Sequence, residues 1–92
     1  MPRPKLKRRI CCHPKSTFFK PNGIPVRKLE IIELTFEELE ALRLKNVKSL
    51  DQLKSAQKMQ TSQSTFQRIL DSAYKKISYA IVNSMAIKIV KE

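Results

Sequence analysis

Three stretches of the chain carry apolar residues at the spacing of amphipathic helices. The first begins near Thr35, because Thr35 and Glu38 form a T-x-x-E capping box and Leu34 can pack on Leu39 as a hydrophobic staple across it. These local signals predict the start of the first helix at Thr35. Its apolar stripe is formed by Phe36, Leu39, Leu42 and Val47, with Leu44 continuing one side.

Two further helices are predicted in the second half of the chain. The second runs from about Asp51, a favourable N-cap residue, to Met59. The third is capped by Ser62, is much longer and ends around Asn83–Ser84. The apolar stripe of the third helix consists of Phe66, Ile69, Leu70, Ala73, Ile77, Ala80 and Ile81.

The N-terminal third of the chain has a different composition. All five prolines and the only glycine lie before residue 26, and this density of proline excludes a helix. We therefore divide the chain into a basic, Pro-rich arm (residues 1–33) and a helical domain (residues 34–92). Phe18 and Phe19 are expected to anchor the arm, and weak alternation in Ala86–Val90 indicates a small β element formed with it. The predicted fold class is all-α, a three-helix domain with an extended arm.

The second and third predicted helices have the organisation of a helix-turn-helix. They differ greatly in length, and only the short break Gln60-Thr61-Ser62 separates them. Ala56 is small where two steeply crossing helices approach, and Met59, Phe66 and Ile69 can fill the space between this pair and the first helix. Gln60 stands where such turns often carry glycine, and its left-handed conformation costs about 1 kcal/mol. The second helix of this motif places its first turns in a DNA major groove.

With its apolar stripe turned inward, the third helix presents polar side chains on the opposite face. Gln pairs bidentately with adenine and Arg with guanine, whereas hydroxyl, amide and lysine groups suit DNA phosphates. We predict that the helix starting near Ser62 reads bases through Gln63, Ser64, Gln67 and Arg68. The predicted phosphate contacts are Gln52, Lys54, Lys58, Ser62, Thr65, Lys75 and Lys76.

The charge of the chain favours double-stranded DNA as the partner. The 92 residues hold 19 Lys+Arg and 8 Asp+Glu, which gives a formal charge of +11. Residues 1–20 hold seven basic residues and no acid, residues 21–44 three basic and five acidic, and residues 45–92 nine basic and three acidic. The acidic first helix should therefore face away from DNA, while the arm and the C-terminal half face it.

Composition excludes several classes of protein. With 41% apolar residues, the chain is too hydrophobic for a wholly disordered basic tail, and no apolar run approaches the ~18 residues of a membrane span. The basic N-terminus does not lead into the apolar segment of a signal peptide, so we expect a cytoplasmic protein without membrane association. Since no nucleophile–base pair or phosphate-cradling glycine loop is evident, we expect neither enzyme activity nor a cofactor.

Five short motifs are spread over nearly the whole chain, and as a set they point to one protein family. They are Met-Pro-Arg-Pro at the start, Arg8-Arg9-Ile10-Cys11-Cys12-x-Pro14, Phe19-Lys20-Pro21-x-Gly23-Ile24-Pro25, Leu34-Thr35-x-x-Glu38-Leu39-Glu40-Ala41-Leu42-Arg43-Leu44 and Met59-x-x-Ser62-x-x-Thr65-Phe66-x-Arg68-Ile69-Leu70. This set resembles an uncharacterised prokaryotic family of small predicted DNA-binding proteins. The helix-turn-helix of that family is similar to the region-4-like domain of bacterial sigma factors, which implies a DNA-binding fold but no target.

The chain departs from this family at the turn. Where the family tends to have Met-Gly-Val-Ser-Arg, this sequence has Met59-Gln60-Thr61-Ser62-Gln63. The first change removes the turn glycine, and the second removes an arginine from the reading helix. The departures therefore bear on the tightness of the turn and on the DNA sequence preferred.

Cys11, Cys12 and His13 raise the hypothesis of a metal site. A structural zinc ion needs four ligands, and the chain holds no other Cys or His. Glu30 or Glu33, or a second chain, would have to complete the site. We therefore expect no bound metal and interpret the cysteines as a thiol pair that anchors the arm, with a Cys-based metal- or redox-sensing regulator as the alternative.

The partner and the arm leave further alternatives open. The arm can lie in the minor groove or on phosphates, or it can be a solvated tail, and RNA is a further possible partner. The helical domain could instead dock an acidic protein. A homodimer is compatible with the apolar residues Ile77, Ile81 and Met85, which could equally cover the arm. The basic residues of the arm considered for DNA contact are Arg3, Lys5, Lys7, Arg8 and Arg9.

Overall fold

Short strands and helices alternate along residues 9–10 and 14–91, the part of the chain that the computed structural model describes. A 3-10 turn at Val26–Lys28 lies between the first two strands, and a π-helical segment at Arg43–Val47 prolongs the first helix. The strands and helices are β1 (Phe18–Phe19), β2 (Ile31–Thr35), α1 (Phe36–Leu42), α2 (Gln52–Lys58), α3 (Gln63–Val82) and β3 (Ala86–Val90).

The strands form one mixed sheet in the order β1-β3-β2. β1 runs antiparallel to β3, whereas β2 runs parallel to β3, from Ile31 opposite Ala86 to Thr35 opposite Val90. The three helices form the crossover that a parallel pair requires. The prediction of an all-α fold is therefore wrong, because the described chain is mixed α/β. The tail does form a strand with the arm: β3 pairs with β1 and, over a longer stretch, with β2, which begins within the arm at Ile31.

The helices begin at the residues that the sequence predicted. The N–H of Glu38 donates to Thr35 Oγ1 at 3.1 Å, and the N–H of Thr35 donates to Glu38 Oε1 at 2.9 Å, which completes the capping box of α1. Asp51 caps α2 by accepting the N–H of Lys54 at 2.7 Å. Ser62 caps α3 in the same manner. The predicted helix starts are therefore confirmed.

α3 contributes to both parts of the hydrophobic core. Its first half packs on α1 and α2 through Phe66 and Leu70, and further along Ala73 packs on the strands. Because one helix spans both parts, the sheet helps to fix the orientation of the first turns of α3. The first cluster consists of Ala41, Leu44, Ala56, Met59, Phe66 and Leu70, and the second of Leu34, Ala73 and Ile89.

Some apolar side chains lie outside this core, contrary to expectation. Val47 is 74% exposed, because the wider π-helical turn breaks the periodicity that placed it in the stripe of the first helix. Phe18 and Phe19 are 36% and 53% exposed, so they do not anchor the arm by burial. Main-chain bonds attach the arm instead: β1 pairs with β3, and the N–H of Arg9 donates to the carbonyl of Met59 at 3.1 Å.

Glu38 is a buried carboxylate between α1 and α3. It is 6% exposed and accepts hydrogen bonds from Lys76 Nζ at 2.9 Å and from the Ser72 hydroxyl, besides the capping bond from Thr35. Burial alone would raise the pKa of Glu38, but the hydrogen bonds from Ser72, Lys76 and Thr35, with the charge of Lys76, hold that pKa below its ordinary value. Glu38 is therefore ionised and ties α1 to α3.

We expect Glu38→Gln to destabilise the protein by about 1–3 kcal/mol near neutral pH and less in acid. Since the folded pKa of Glu38 lies below the unfolded value of about 4.3, the stabilisation is full above that value and is lost as the pH falls through the folded pKa. Urea unfolding of the wild type and of Glu38→Gln, from acid to neutral pH, measures the difference in their free energies of unfolding. The exposed Glu30→Gln serves as a control. If the difference in unfolding free energy between the wild type and Glu38→Gln stayed constant with pH, an ionised Glu38 would be contradicted.

The turn between α2 and α3 contains a residue in the left-handed region. Gln60 has a φ of 57°, as expected for a position that often carries glycine. The N–H groups of Gln60 and Thr61 donate to the carbonyls of Gln57 and Ala56, both at 3.0 Å. The strained conformation therefore closes the end of α2 and sends the chain into α3.

Gln60→Gly should raise the free energy of unfolding by about 1 kcal/mol, because it removes the steric cost of a side chain at positive φ. The melting temperature should rise by roughly 4–8 °C. Lys75→Gly, in the exposed middle of α3, is the matched control and should lower the unfolding free energy by about 0.5–1 kcal/mol. Urea unfolding shows which of the two changes raises the free energy of unfolding and which lowers it. Destabilisation by both changes would mean that the turn needs the Gln60 side chain.

Candidate nucleic-acid interface

α2 and α3 form a packed pair whose first turns lie side by side. Gln52 Nε2 donates to the carbonyl of Gln63 at 3.2 Å, which ties the start of α2 to the start of α3. Between the helices Ala56 is 1% exposed, and Met59 and Phe66 are completely buried. The small Ala56 is thus buried in the same core cluster as Met59 and Phe66. This packing holds α3 with one face of its first turns in solvent.

The predicted base-reading side chains lie together on that face. Gln63, Ser64 and Arg68 are exposed, and Gln67 is half-buried. Gln67 Nε2 donates to Asp71 Oδ1 at 2.8 Å, so the next turn of the same helix orients the amide. A primary amide carries two N–H donors and a carbonyl acceptor. Gln67 can therefore keep its bond to Asp71 and still present one donor and its acceptor to a base edge.

The hydroxyl groups at the start of α3 are joined to one another. Ser62 Oγ accepts the N–H of Thr65 at 3.1 Å, donates to Thr65 Oγ1 at 2.9 Å and lies 3.3 Å from Ser64 Oγ. Ser62 is thus engaged in capping the helix. Because Thr65 Oγ1 accepts within this network, its own hydroxyl hydrogen is the one suited to a phosphate oxygen.

The lysines predicted to contact phosphates do not all face solvent. Lys54, Lys58 and Lys75 are exposed. Lys76 instead donates to the buried Glu38 at 2.9 Å. Moving Lys76 onto DNA would take this counter-charge away from a buried carboxylate, which is costly. We therefore leave Lys76 out of the phosphate contacts proposed below.

The fold also brings two predicted contact residues, Arg9 and Lys58, together with Arg43 and Lys48, which the sequence did not single out. Arg43 and Lys48 line a cavity of about 260 Å³ together with Lys58. Arg43 and Lys58 also line a neighbouring cavity of about 160 Å³ with Arg9 and Glu40. These residues come from separate parts of the chain, so no local motif or periodicity could have grouped them.

The outer face of α3 becomes apolar in its second half. Tyr79 and Val82 are 59% and 80% exposed and line an open depression of about 540 Å³. Ile77 packs on the second core cluster and Met85 is half-buried, whereas Ile81 is 69% exposed. Of the three residues considered for a homodimer, Ile81 has the most exposed surface. The homodimer itself stays a prediction.

Several predicted residues lie outside the described part of the chain. They are Arg3, Lys5, Lys7 and Arg8 of the arm and Cys11, Cys12 and His13 of the metal hypothesis. Arg9 is described and exposed. Within residues 9–10 and 14–91, no group of three or more His, Cys, Asp and Glu side chains could hold a metal ion. Over the same ranges, no helix combines the length and apolar character needed to cross a membrane.

The chain is similar to proteins of one sequence family. Residues 1–92 match the family described as "Protein of unknown function DUF134". Curated relatives named UPF0251 protein include those of Pelotomaculum thermopropionicum, Clostridium novyi and Caldanaerobacter subterraneus subsp. tengcongensis, which are 45%, 49% and 48% identical over 89 residues. Each comparison covers 97% of this chain and, in the same order, 67%, 60% and 75% of the relative. No solved structure matches the chain.

Proposed function

The chain belongs to the family described as Protein of unknown function DUF134, and we propose that it is a sequence-specific DNA-binding protein that regulates transcription. The resemblance to an uncharacterised prokaryotic family is thereby confirmed, whereas the family name assigns no activity. The proposal therefore depends on the chemistry of the α2–α3 pair. It concerns this chain, which spans between 60% and 75% of the length of the three relatives named above.

The observation that carries the proposal is the solvent-exposed face at the start of α3. Gln63, Ser64, Gln67 and Arg68 share this face, and the opposite face is held in the core by Phe66. Amide and guanidinium groups recognise adenine and guanine edges bidentately, and an α-helix fits the width of the major groove. A buried anchor behind a polar face is the arrangement that rigid base reading requires.

Charge supports the same orientation. Glu38 and Glu40 of α1 are buried, and they pair with Lys76 and Arg43 at 2.9 and 2.7 Å. Much of the acidity of the first helix is therefore neutralised inside the protein. The exposed lysines of α2 and α3 keep their charge at the surface, where a phosphate backbone would meet it.

We assign α2, the turn and α3 to a helix-turn-helix, and we retain the similarity to the sigma-factor region-4-like domain as part of this proposal. In this docking mode α3 enters the major groove while α2 crosses the backbone. Lys54 and Lys58 then lie toward phosphates on the α2 side, and Lys75 lies toward the backbone farther along α3. The arm residue Arg9 is attached beside the turn through Met59.

Selection of bound duplexes from a random pool by the full chain tests the proposal. We expect an enriched motif, and an affinity for it about 10³-fold or more above that for a scrambled duplex in fluorescence anisotropy. The logarithm of the binding constant should fall linearly with that of the salt concentration, by about 0.9 per phosphate contacted. Failure to enrich any motif, with equal affinity for all duplexes, would overturn sequence-specific regulation. Binding of an acidic peptide in place of DNA would favour the docking alternative.

A further inference from the structure

The surface beside the α2–α3 turn carries a group of cations that the tertiary structure assembles. Arg9 comes from the arm, Arg43 from the π-helical segment, Lys48 from the loop after it and Lys58 from the last turn of α2. Arg43 and Lys58 are shared by the two cavities of about 160 and 260 Å³. We call these four residues the basic cleft. Arg43 is paired with Glu40, which also lines the cleft, so the positive charge in excess there is that of Arg9, Lys48 and Lys58.

Main-chain bonds hold the backbone at Arg9 and Lys48, and the buried Glu40 holds the guanidinium of Arg43. Glu40 is 1% exposed and accepts two bonds from the guanidinium of Arg43, from Nε at 2.7 Å and from Nη2 at 2.9 Å. The N–H of Lys48 donates to the carbonyl of Arg43 at 2.8 Å, and the N–H of Arg9 donates to that of Met59 at 3.1 Å. A ligand therefore meets a cleft whose backbone is already ordered, which lowers the entropic cost of binding.

The chemistry of the basic cleft suits a phosphate group. Arginine and lysine are the side chains that bind phosphate oxygens through charge-assisted hydrogen bonds. The smaller cavity, at about 160 Å³, exceeds the share of several water molecules at about 30 Å³ each. It can therefore accept a tetrahedral oxyanion. Exposed Lys48 and Lys58 stand at the rim, where a larger phosphorylated molecule would continue.

We propose that the basic cleft is a phosphate-binding site that takes the phosphodiester backbone of DNA beside the bases read by α3. The inference rests on the proposed function and extends it, since it adds Lys48 to the contacts and gives Arg9 and Lys58 a common ligand, while Arg43 lines the site and stays paired with Glu40. Lys58 immediately precedes the turn, and Arg9 is bonded to Met59 within it. A backbone bound here thus lies next to the start of α3. Free phosphate or a small phosphate ester offers the same chemistry.

The test compares two double variants that each remove two positive charges. Lys48→Gln/Lys58→Gln changes the rim of the cleft, and Lys28→Gln/Lys91→Gln changes exposed lysines elsewhere. Arg43 is kept, because it pairs with the buried Glu40. In a salt titration of duplex binding, the cleft variant should lose about 1–2 units of slope, whereas the control should lose less than half as much. The single variant Lys58→Gln should show half the change.

Inorganic phosphate provides an assay that does not require DNA. Adding phosphate to the full chain, against chloride at matched ionic strength, should shift the amide NMR signals of Arg9, Lys48 and Lys58 in the wild type. The shifts should disappear in the cleft variant and persist in the control.

The two assays separate the possible outcomes. Phosphate-dependent shifts without any duplex binding would retain the site and overturn the proposed function. Duplex binding with equal slopes in both variants and no phosphate shifts would retain the function and overturn the site. Phosphate shifts with an unchanged DNA slope would overturn the DNA-backbone assignment and identify a free phosphorylated molecule as the ligand.

Discussion

Phe66→Ala should lower the free energy of unfolding by about 3–5 kcal/mol. Phe66 is completely buried and packs with α1 and α2 on the inner side of the first turns of α3. Truncating it removes a large apolar contact and leaves a cavity that rigid neighbours fill only in part. For a chain of this length the melting temperature should fall by roughly 12–40 °C. Thermal and urea unfolding followed by circular dichroism measure both quantities.

The matched control is Phe19→Ala in β1. Phe19 is 53% exposed, so its truncation should cost less than about 1 kcal/mol. This comparison decides between two interpretations of the aromatic residues, because the sequence suggested that Phe18 and Phe19 anchor the arm. Losses of equal size at Phe19 and Phe66 would contradict the core described above and restore the arm as a packed part of it.

The helices were predictable because their signals are local. The capping box of Thr35 and Glu38, and the caps Asp51 and Ser62, each need only the next three residues to form their bonds. Ala56 at the helix contact and the left-handed Gln60 followed from the short break between two apolar stripes. Such features survive folding of the whole chain because they satisfy the backbone groups of their own helix end.

The sheet was not predictable in the same way, because β2 pairs with a strand at the far end of the chain. Its sequence, Ile31–Thr35, is rich in β-branched residues and could have indicated a strand. Thr35 is both the last residue of β2 and the N-cap of α1, and its capping box indicates only the helix that follows. The alternation in Ala86–Val90 indicated a strand formed with the arm, but no local pattern identifies Ile31–Thr35 as its longer partner. Only the pairing in the folded chain turns an all-α expectation into a mixed α/β architecture.

Part of the candidate site was likewise predictable from local sequence, and part depends on tertiary contacts. The outward direction of Gln63, Ser64 and Arg68 follows from the helical period once the apolar stripe is known. Helical period alone did not reveal that Lys76 pairs with Glu38, because that contact crosses from α3 to α1. The basic cleft depends entirely on the tertiary structure, because its four residues come from separate parts of the chain. Charge counts along the sequence locate basic segments, but only the fold determines which cations meet and which are neutralised.

Arg68→Ala should weaken binding to the preferred duplex by about 1–3 kcal/mol, or roughly 5- to 150-fold, and relax the preference at one base pair. Arg68 is exposed on the reading face of α3, and the opposite side of the helix is held in the core. Its guanidinium can donate two parallel hydrogen bonds to the O6 and N7 atoms of guanine. Anisotropy titrations on the selected duplex and on single-base variants measure the loss and its position.

Two matched changes distinguish base reading from charge. Arg68→Lys keeps the positive charge but loses the planar pair of donors, so it should restore little of the selectivity. Lys75→Ala removes an exposed charge farther along α3 and should weaken all duplexes alike, with a salt slope reduced by about 0.9. If Arg68→Lys bound as selectively as the wild type, or if Arg68→Ala and Lys75→Ala weakened every duplex equally, Arg68 would contact phosphate only. The specificity of α3 would then have to come from Gln63, Ser64 and Gln67.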